Sequence, residues 1–88
     1  MASQKQTAIL EILRIGREVL GRPLRGSEIA EKLLDSGVCH WNPCYNTRET
    51  NIAVIQAGLT GSSGTLNRLV SRGEVVRISR GQYQLPDF

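Results

Sequence analysis

Apolar residues recur along this chain with two different periods, and the change from one to the other falls close to Gly73. In the first part Ala8, Ile9, Ile12, Leu13, Gly16, Val19 and Leu20 repeat at the spacing of one helix face. That spacing predicts a first helix running to Leu20 with this face in the core. Ile15 falls off the centre of the stripe, and Arg14, Arg17 and Glu18 decorate the solvent side. Met1 to about Gln4 is expected to fray. Gly21-Arg22-Pro23-Leu24 breaks the helix, because a proline disfavours helical geometry at the residue before it. A second helix is predicted from Ser27 to Ser36, with Ile29, Ala30, Leu33 and Leu34 inward and Gly37 as its stop.

The middle of the chain is less regular. Val38 to Tyr45 contains Trp41, Asn42 and Pro43 and reads as a loop. Its aromatic residues can pack back onto the helices, or Trp41 can stand exposed as a partner anchor or stacking surface. Asn46 followed by Glu49 has the form of a helix start, so Asn46 is the expected cap of a helix from Thr47 to Ala57. Ile52, Ala53, Val54 and Ile55 carry its apolar content, and Gly58 is its expected end.

Beyond Gly58 the pattern becomes continuous. Ser62 or Ser63 can cap a helix running from about Ser63 to Arg72, with Gly73 as its C-terminal stop. Leu66, Leu69 and Val70 share one face of it; Gly64, Asn67, Arg68 and Ser71 fall on or near the other. The hydroxyls and free amides at its start form a ready phosphate site, where Gly64 would let a ligand approach the backbone, although GLTGSSG also reads simply as a turn and cap. From Glu74 to Ser79 the period becomes two, with Val76 and Ile78 on one face and Val75, Arg77 and Ser79 on the other. Arg80-Gly81 is a two-residue hairpin connection, and Gln82 to Leu85 returns with Tyr83 and Leu85 inward. Arg77 and Arg80 then lie on the exposed edge.

The run TLNRLVSRGEVVRISRGQYQL, with GRPLRGSEIAEKLLDSG upstream, resembles winged helix-turn-helix DNA-binding domains and is loosely similar to the HARE-HTH group. The resemblance covers about Ile9 to Leu85. It implies a mainly α fold with a small β-hairpin (α+β), a single domain over residues 1–88, and a short strand at Leu24 beside the wing. It departs from such domains at Arg25-Gly26, where they commonly place a threonine or serine, and in the extra loop and helix before the recognition helix. The helix from Thr47 is either an insertion or the first helix of the helix-turn-helix, with Gly58 to Ser62 as the turn. The recognition helix is the same in both arrangements.

Composition sharpens this picture. The chain has 88 residues, 40% of them hydrophobic, with four aromatics, so its core must be built mostly of Ile, Leu and Val. That size leaves no room for a deep catalytic cleft, and no P-loop pattern or nucleophile–base set is visible, so no enzymatic activity is expected. No apolar run approaches the length of a membrane span, and the first residues lack the organisation of a signal peptide; a cytoplasmic, nucleoid-associated protein is the expectation. Cys39 and Cys44 are expected to be free thiols. With His40 they offer three candidate ligands where a structural zinc site takes four, so neither metal nor cofactor is expected. The formal net charge is +3, and the nine Arg outnumber the two Lys, which suits bidentate contacts to phosphate or guanine. Residues 60–88 carry a charge of +2 and residues 1–59 only +1.

Double-stranded DNA is therefore the expected partner, with nothing in the pattern to separate it from RNA. Asn67 and Arg68 are the candidates for base edges. Ser62, Ser63, Thr65, Ser71 and Arg72 would position phosphates, and Arg77 and Arg80 on the wing would reach the backbone or minor groove. A regulator reading a symmetric site would be a homodimer, with helix one as the candidate contact. The competing reading is a protein-interaction or dimerisation module that uses the 38–46 loop with Cys39, Trp41 and Tyr45.

Overall fold

A computed structural model describes residues 3–86; the predicted fraying of Met1 and Ala2 lies outside them. Among the described residues the chain is mainly helical with one small antiparallel sheet. The elements are α1 (Gln4–Ile15), a π-helical continuation (Gly16–Leu20), β1 (Leu24–Arg25), α2 (Gly26–Asp35), α3 (Arg48–Thr60), α4 (Thr65–Ser71), β2 (Val76–Ser79) and β3 (Gln82–Gln84). Helix α1 begins firmly rather than fraying at Gln4. The Ser3 hydroxyl accepts from the Gln6 amide, and the Gln6 side chain accepts from Ser3, which satisfies two otherwise orphaned donors.

The end of α1 departs from the helical pattern. The Gly21 amide donates to the Gly16 carbonyl at 3.0 Å, five residues back, and Gly21 closes the turn at φ 65°, a conformation suited to glycine. This wider winding delays the stripe. Val19 and Leu20, expected in the core, are 73% and 51% exposed. Leu24 from β1 takes the inward place instead and lies so close to Gly16 that a Cβ there would meet its side chain at 2.9 Å.

Helix α2 starts one residue earlier than its hydroxyl pattern suggested. At the position without a threonine or serine, Glu28 accepts from the Arg25 amide at 3.0 Å and performs the capping role. Ile29, Ala30 and Leu33 are buried, whereas Leu34 is only half-buried. Helix α3 is capped by Thr47, whose hydroxyl accepts from Thr50, and not by Asn46. It also runs through Gly58, because nothing crowds that exposed position and the next residue, Leu59, is carried into the core.

Strand order is β1-β3-β2, with Leu24 opposite Tyr83 and Arg25 opposite Gln82. The predicted Arg80-Gly81 connection is present, with Gly81 at φ 76°, and an irregularity falls between Arg77 and Ser79. Leu24, Val75 and Tyr83 are buried, while Val76 and Ile78 line the open face of the sheet. One cluster joins these residues to Ile9, Leu13, Ile29, Ala30, Leu33, Leu59, Leu66 and Leu69. Burying each of its Leu, Ile and Val side chains contributes about 1.5–3 kcal/mol.

Helices α3 and α4 meet through residues 61–64. Gly64, not Ser62 or Ser63, is the N-cap of α4, with no side-chain cap. Its φ of −72° is open to any residue; the demand for glycine is steric. A Cβ would lie 2.3 Å from the Leu59 carbonyl oxygen and 2.8 Å from that of Gly58. The close approach expected for a ligand is therefore used by the backbone of α3. Gly64→Ala is expected to lower stability by roughly 2–4 kcal/mol, since backbone must shift. Urea denaturation would show this as a lower midpoint; a midpoint equal to that of the parent would mean the turn is looser than described.

Candidate nucleic-acid interface

The short helix α4 buries Leu66 and Leu69 and turns Arg68, Ser71 and Arg72 to solvent, with Thr65 half-buried at its first turn. Ser62 and Ser63 are exposed in the turn before it. Arg77 is exposed on β2 opposite Tyr83, and Arg80 is exposed in the hairpin connection. The structure therefore groups Thr65, Arg68, Ser71 and Arg72 on one helix face and Arg77 and Arg80 on the hairpin that follows it.

Asn67 sits differently from its neighbours. Its side-chain amide donates to the Gly61 carbonyl at 2.6 Å and the Thr60 carbonyl at 3.3 Å, closing the end of α3. Bidentate reading of adenine needs both the amide donor and the carbonyl acceptor, and here the donor is committed to the turn. Arg72 is also engaged. Its guanidinium lies 2.7 Å from Glu74 Oε2 and donates to the Gln6 side chain at 3.3 Å.

The remaining charges divide by location. Arg14 is held between Glu11 and Glu18, Arg22 pairs with Glu28 at 2.7 Å, and Arg48 bridges Glu31 at 3.1 Å and Asp35 at 2.8 Å. These carboxylates raise the pKa of all three guanidinium groups. Among the described residues, Arg68, Arg77 and Arg80 have no such acidic partner. Arg25, opposite Gln82 on β1, is another exposed arginine without an ion pair, and it was missed as a site residue. With Arg22, Pro23, Ser27, Glu28 and Gln82 it lines an open polar hollow of about 610 Å³ beside the sheet.

Asn51 was missed as well. It is 2% exposed, accepts from the Asn42 amide at 2.8 Å, and donates to the carbonyls of Tyr45 (2.8 Å), Thr47 (3.0 Å) and Asn42 (3.3 Å). Its signal was available: Asn51, Ile55 and Leu59 lie four residues apart, so a polar group occupies the inward phase of α3. This one side chain holds the 42–47 segment, beside which Trp41 is 49% exposed. Cys39 packs against the core and Cys44 is exposed, both as free thiols. Among the described residues no cluster of three His, Cys, Asp or Glu is placed to hold a metal ion, and no helix is long and apolar enough to cross a membrane.

No family model, curated protein or solved structure matches this chain.

Two outcomes test the geometry. Asn51→Ala leaves the Asn42 amide and the carbonyls it holds without partners, so a loss of roughly 1–3 kcal/mol is expected together with a red shift of Trp41 fluorescence as the loop loosens. Unchanged emission and stability would count against the clamp. The second concerns acid. The Arg22 guanidinium, opposed by partial desolvation and aided by the Arg25 amide, holds the Glu28 carboxyl down at about 2 against an ordinary 4.5. Its contribution is complete above pH 4.5 and is lost as pH falls towards 2. Because both side chains are partly exposed, screening reduces the effect to about 1 kcal/mol. Glu28→Gln should therefore be less stable than the parent at neutral pH, with the difference in urea midpoint closing in acid; a gap independent of pH would refute this origin.

Proposed function

We propose that this chain is a winged helix-turn-helix domain that binds double-stranded DNA, with α3 and α4 as the helix pair, α4 in the major groove and the β2–β3 hairpin as the wing. The single observation that carries this reading is the partition of arginines. Those on α1, the α1–β1 connection and α3 are neutralised by carboxylates, whereas Arg68, Arg77 and Arg80 are exposed without acidic partners. A surface that leaves its guanidinium groups uncompensated favours a polyanion, and phosphate neutralisation supplies the sequence-independent part of DNA affinity.

In this mechanism Arg68 reads a base edge, with guanine O6 and N7 as the fitting acceptors. Asn67 supports that contact indirectly by fixing the turn that aims α4. The hydroxyls of Ser62, Ser63, Thr65 and Ser71 position phosphates. Arg72 exchanges Glu74 for a phosphate, which makes it a weaker contributor than an unpaired arginine. Arg77 and Arg80 hold the backbone or enter the minor groove, and Arg25 on the neighbouring strand extends the basic surface. The domain would serve as a small transcription regulator or as the DNA-targeting part of a larger machine.

Trp41 favours a second reading. A half-exposed indole on a loop fixed by a buried asparagine is a preorganised anchor for another protein.

Binding to a mixed pool of short duplexes at two salt concentrations separates the readings. DNA binding is expected to fall steeply with salt; Arg80→Ala should weaken all sequences alike and reduce the salt slope by about one charge. Arg68→Ala should relax sequence preference by roughly 1–3 kcal/mol at one position. Absence of binding at low salt would overturn the DNA reading and turn attention to Trp41, whose replacement by alanine would then abolish capture of a protein partner.

A further inference from the structure

Asn67 has two hydrogen-bonding ends, and the turn before α4 uses only one of them. Its amide nitrogen donates to the Gly61 carbonyl at 2.6 Å and to the Thr60 carbonyl at 3.3 Å. Both partners can only accept, so rotating the side-chain oxygen into that place would set three acceptors against one another. The other end, Oδ1, accepts from no group among the described residues, and no atom of Asn67 is sealed from solvent without a partner. Oδ1 is therefore an acceptor held in a fixed orientation and open to water.

Its place on the chain gives that acceptor a use. Asn67 is the third residue of α4, directly before the exposed Arg68, and its amide lies over the exposed turn at Gly61. The first residues of a recognition helix are the ones that meet base edges. In the major groove each base pair offers one amino group, adenine N6 or cytosine N4, and across from it one keto oxygen, guanine O6 or thymine O4. An acceptor that cannot turn over pairs with the amino group and is repelled by the keto oxygen.

We propose that Asn67, through Oδ1 alone, is a specificity-determining residue that selects adenine or cytosine over guanine or thymine on the strand it faces. This rests on the reading of α4 as the recognition helix. It differs from the usual asparagine contact, in which donor and acceptor together engage adenine N6 and N7.

Duplexes carrying base analogues test this on the parent protein, with no substitution that could loosen the turn. Selection from the mixed pool should first reveal one position, next to the one relaxed by Arg68→Ala, that takes adenine or cytosine alike and rejects guanine and thymine by about three- to tenfold. At that position 7-deazaadenine, which lacks N7 but keeps the amino group, should bind as tightly as adenine. Purine, which keeps N7 but lacks the amino group, should bind about three- to tenfold more weakly. Asn67→Ala, checked for the parent far-UV dichroism, should erase the amino preference there and leave the preference set by Arg68 in place. Equal losses with both analogues would assign a bidentate contact, and indifference to both would leave Asn67 a turn-fixing residue; either result overturns the proposal. Salt-sensitive binding with no amino-selective position also overturns it while leaving the DNA reading intact, whereas absence of binding at low salt takes both down.

Discussion

The tightest constraint in this fold is the approach of the Gly64 backbone to the last turn of α3. With the Leu59 carbonyl where the first side-chain carbon would be, the chain can only turn there if no side chain exists. That one contact brings the start of α4 directly against the end of α3. It carries Leu59 from one helix and Leu66 and Leu69 from the other into the same core, and it places the Asn67 amide over the exposed carbonyls at the end of α3. The direction of Arg68 and its neighbours is set by this packing, because a helix as short as α4 has little stability of its own.

Electrostatics then gives the two sides of the molecule different character. The ion pairs of Arg14, Arg22 and Arg48 are largely exposed, and exposed pairs contribute only about 0–1 kcal/mol each. Their larger effect is on the field around the protein: they cancel charge on α1, α2 and α3, while Arg68, Arg77 and Arg80 remain uncancelled and Arg72 is paired with Glu74. Such a field reaches roughly a Debye length, about 8–10 Å at moderate salt.

Two departures from local rules mark the other surfaces of interest. A buried asparagine in the middle of α3 is costly unless every polar group finds a partner, and Asn51 achieves this by holding a loop that keeps Trp41 at the surface. The wider turn at Gly16–Leu20 gives up core positions for Val19 and Leu20 and exposes them beside an apolar hollow. Each departure creates a presented apolar group that regular periodicity would have hidden.

Much of the architecture was legible in local chemistry. Helical spacing located α1 and α2, glycine and proline marked the breaks, and a period of two with Arg80-Gly81 between its halves identified the hairpin, because each depends on neighbours a few residues apart. The basic bias of residues 60–88 was equally visible as a count of charges. What only the tertiary structure decided depends on groups distant in sequence. Gly58 stays helical because Leu59 is wanted in the core, and Gly64 is required by the end of α3 rather than by its own φ. Glu28 starts α2 in place of a threonine, with Arg22 holding its charge. Leu24 displaces Leu20 from the core by packing on Gly16. Which arginines are free and which are neutralised follows from the same cause: a charge pattern along a chain says how many there are, but only packing brings Arg48 to Glu31 and Asp35 and leaves Arg68, Arg77 and Arg80 facing water.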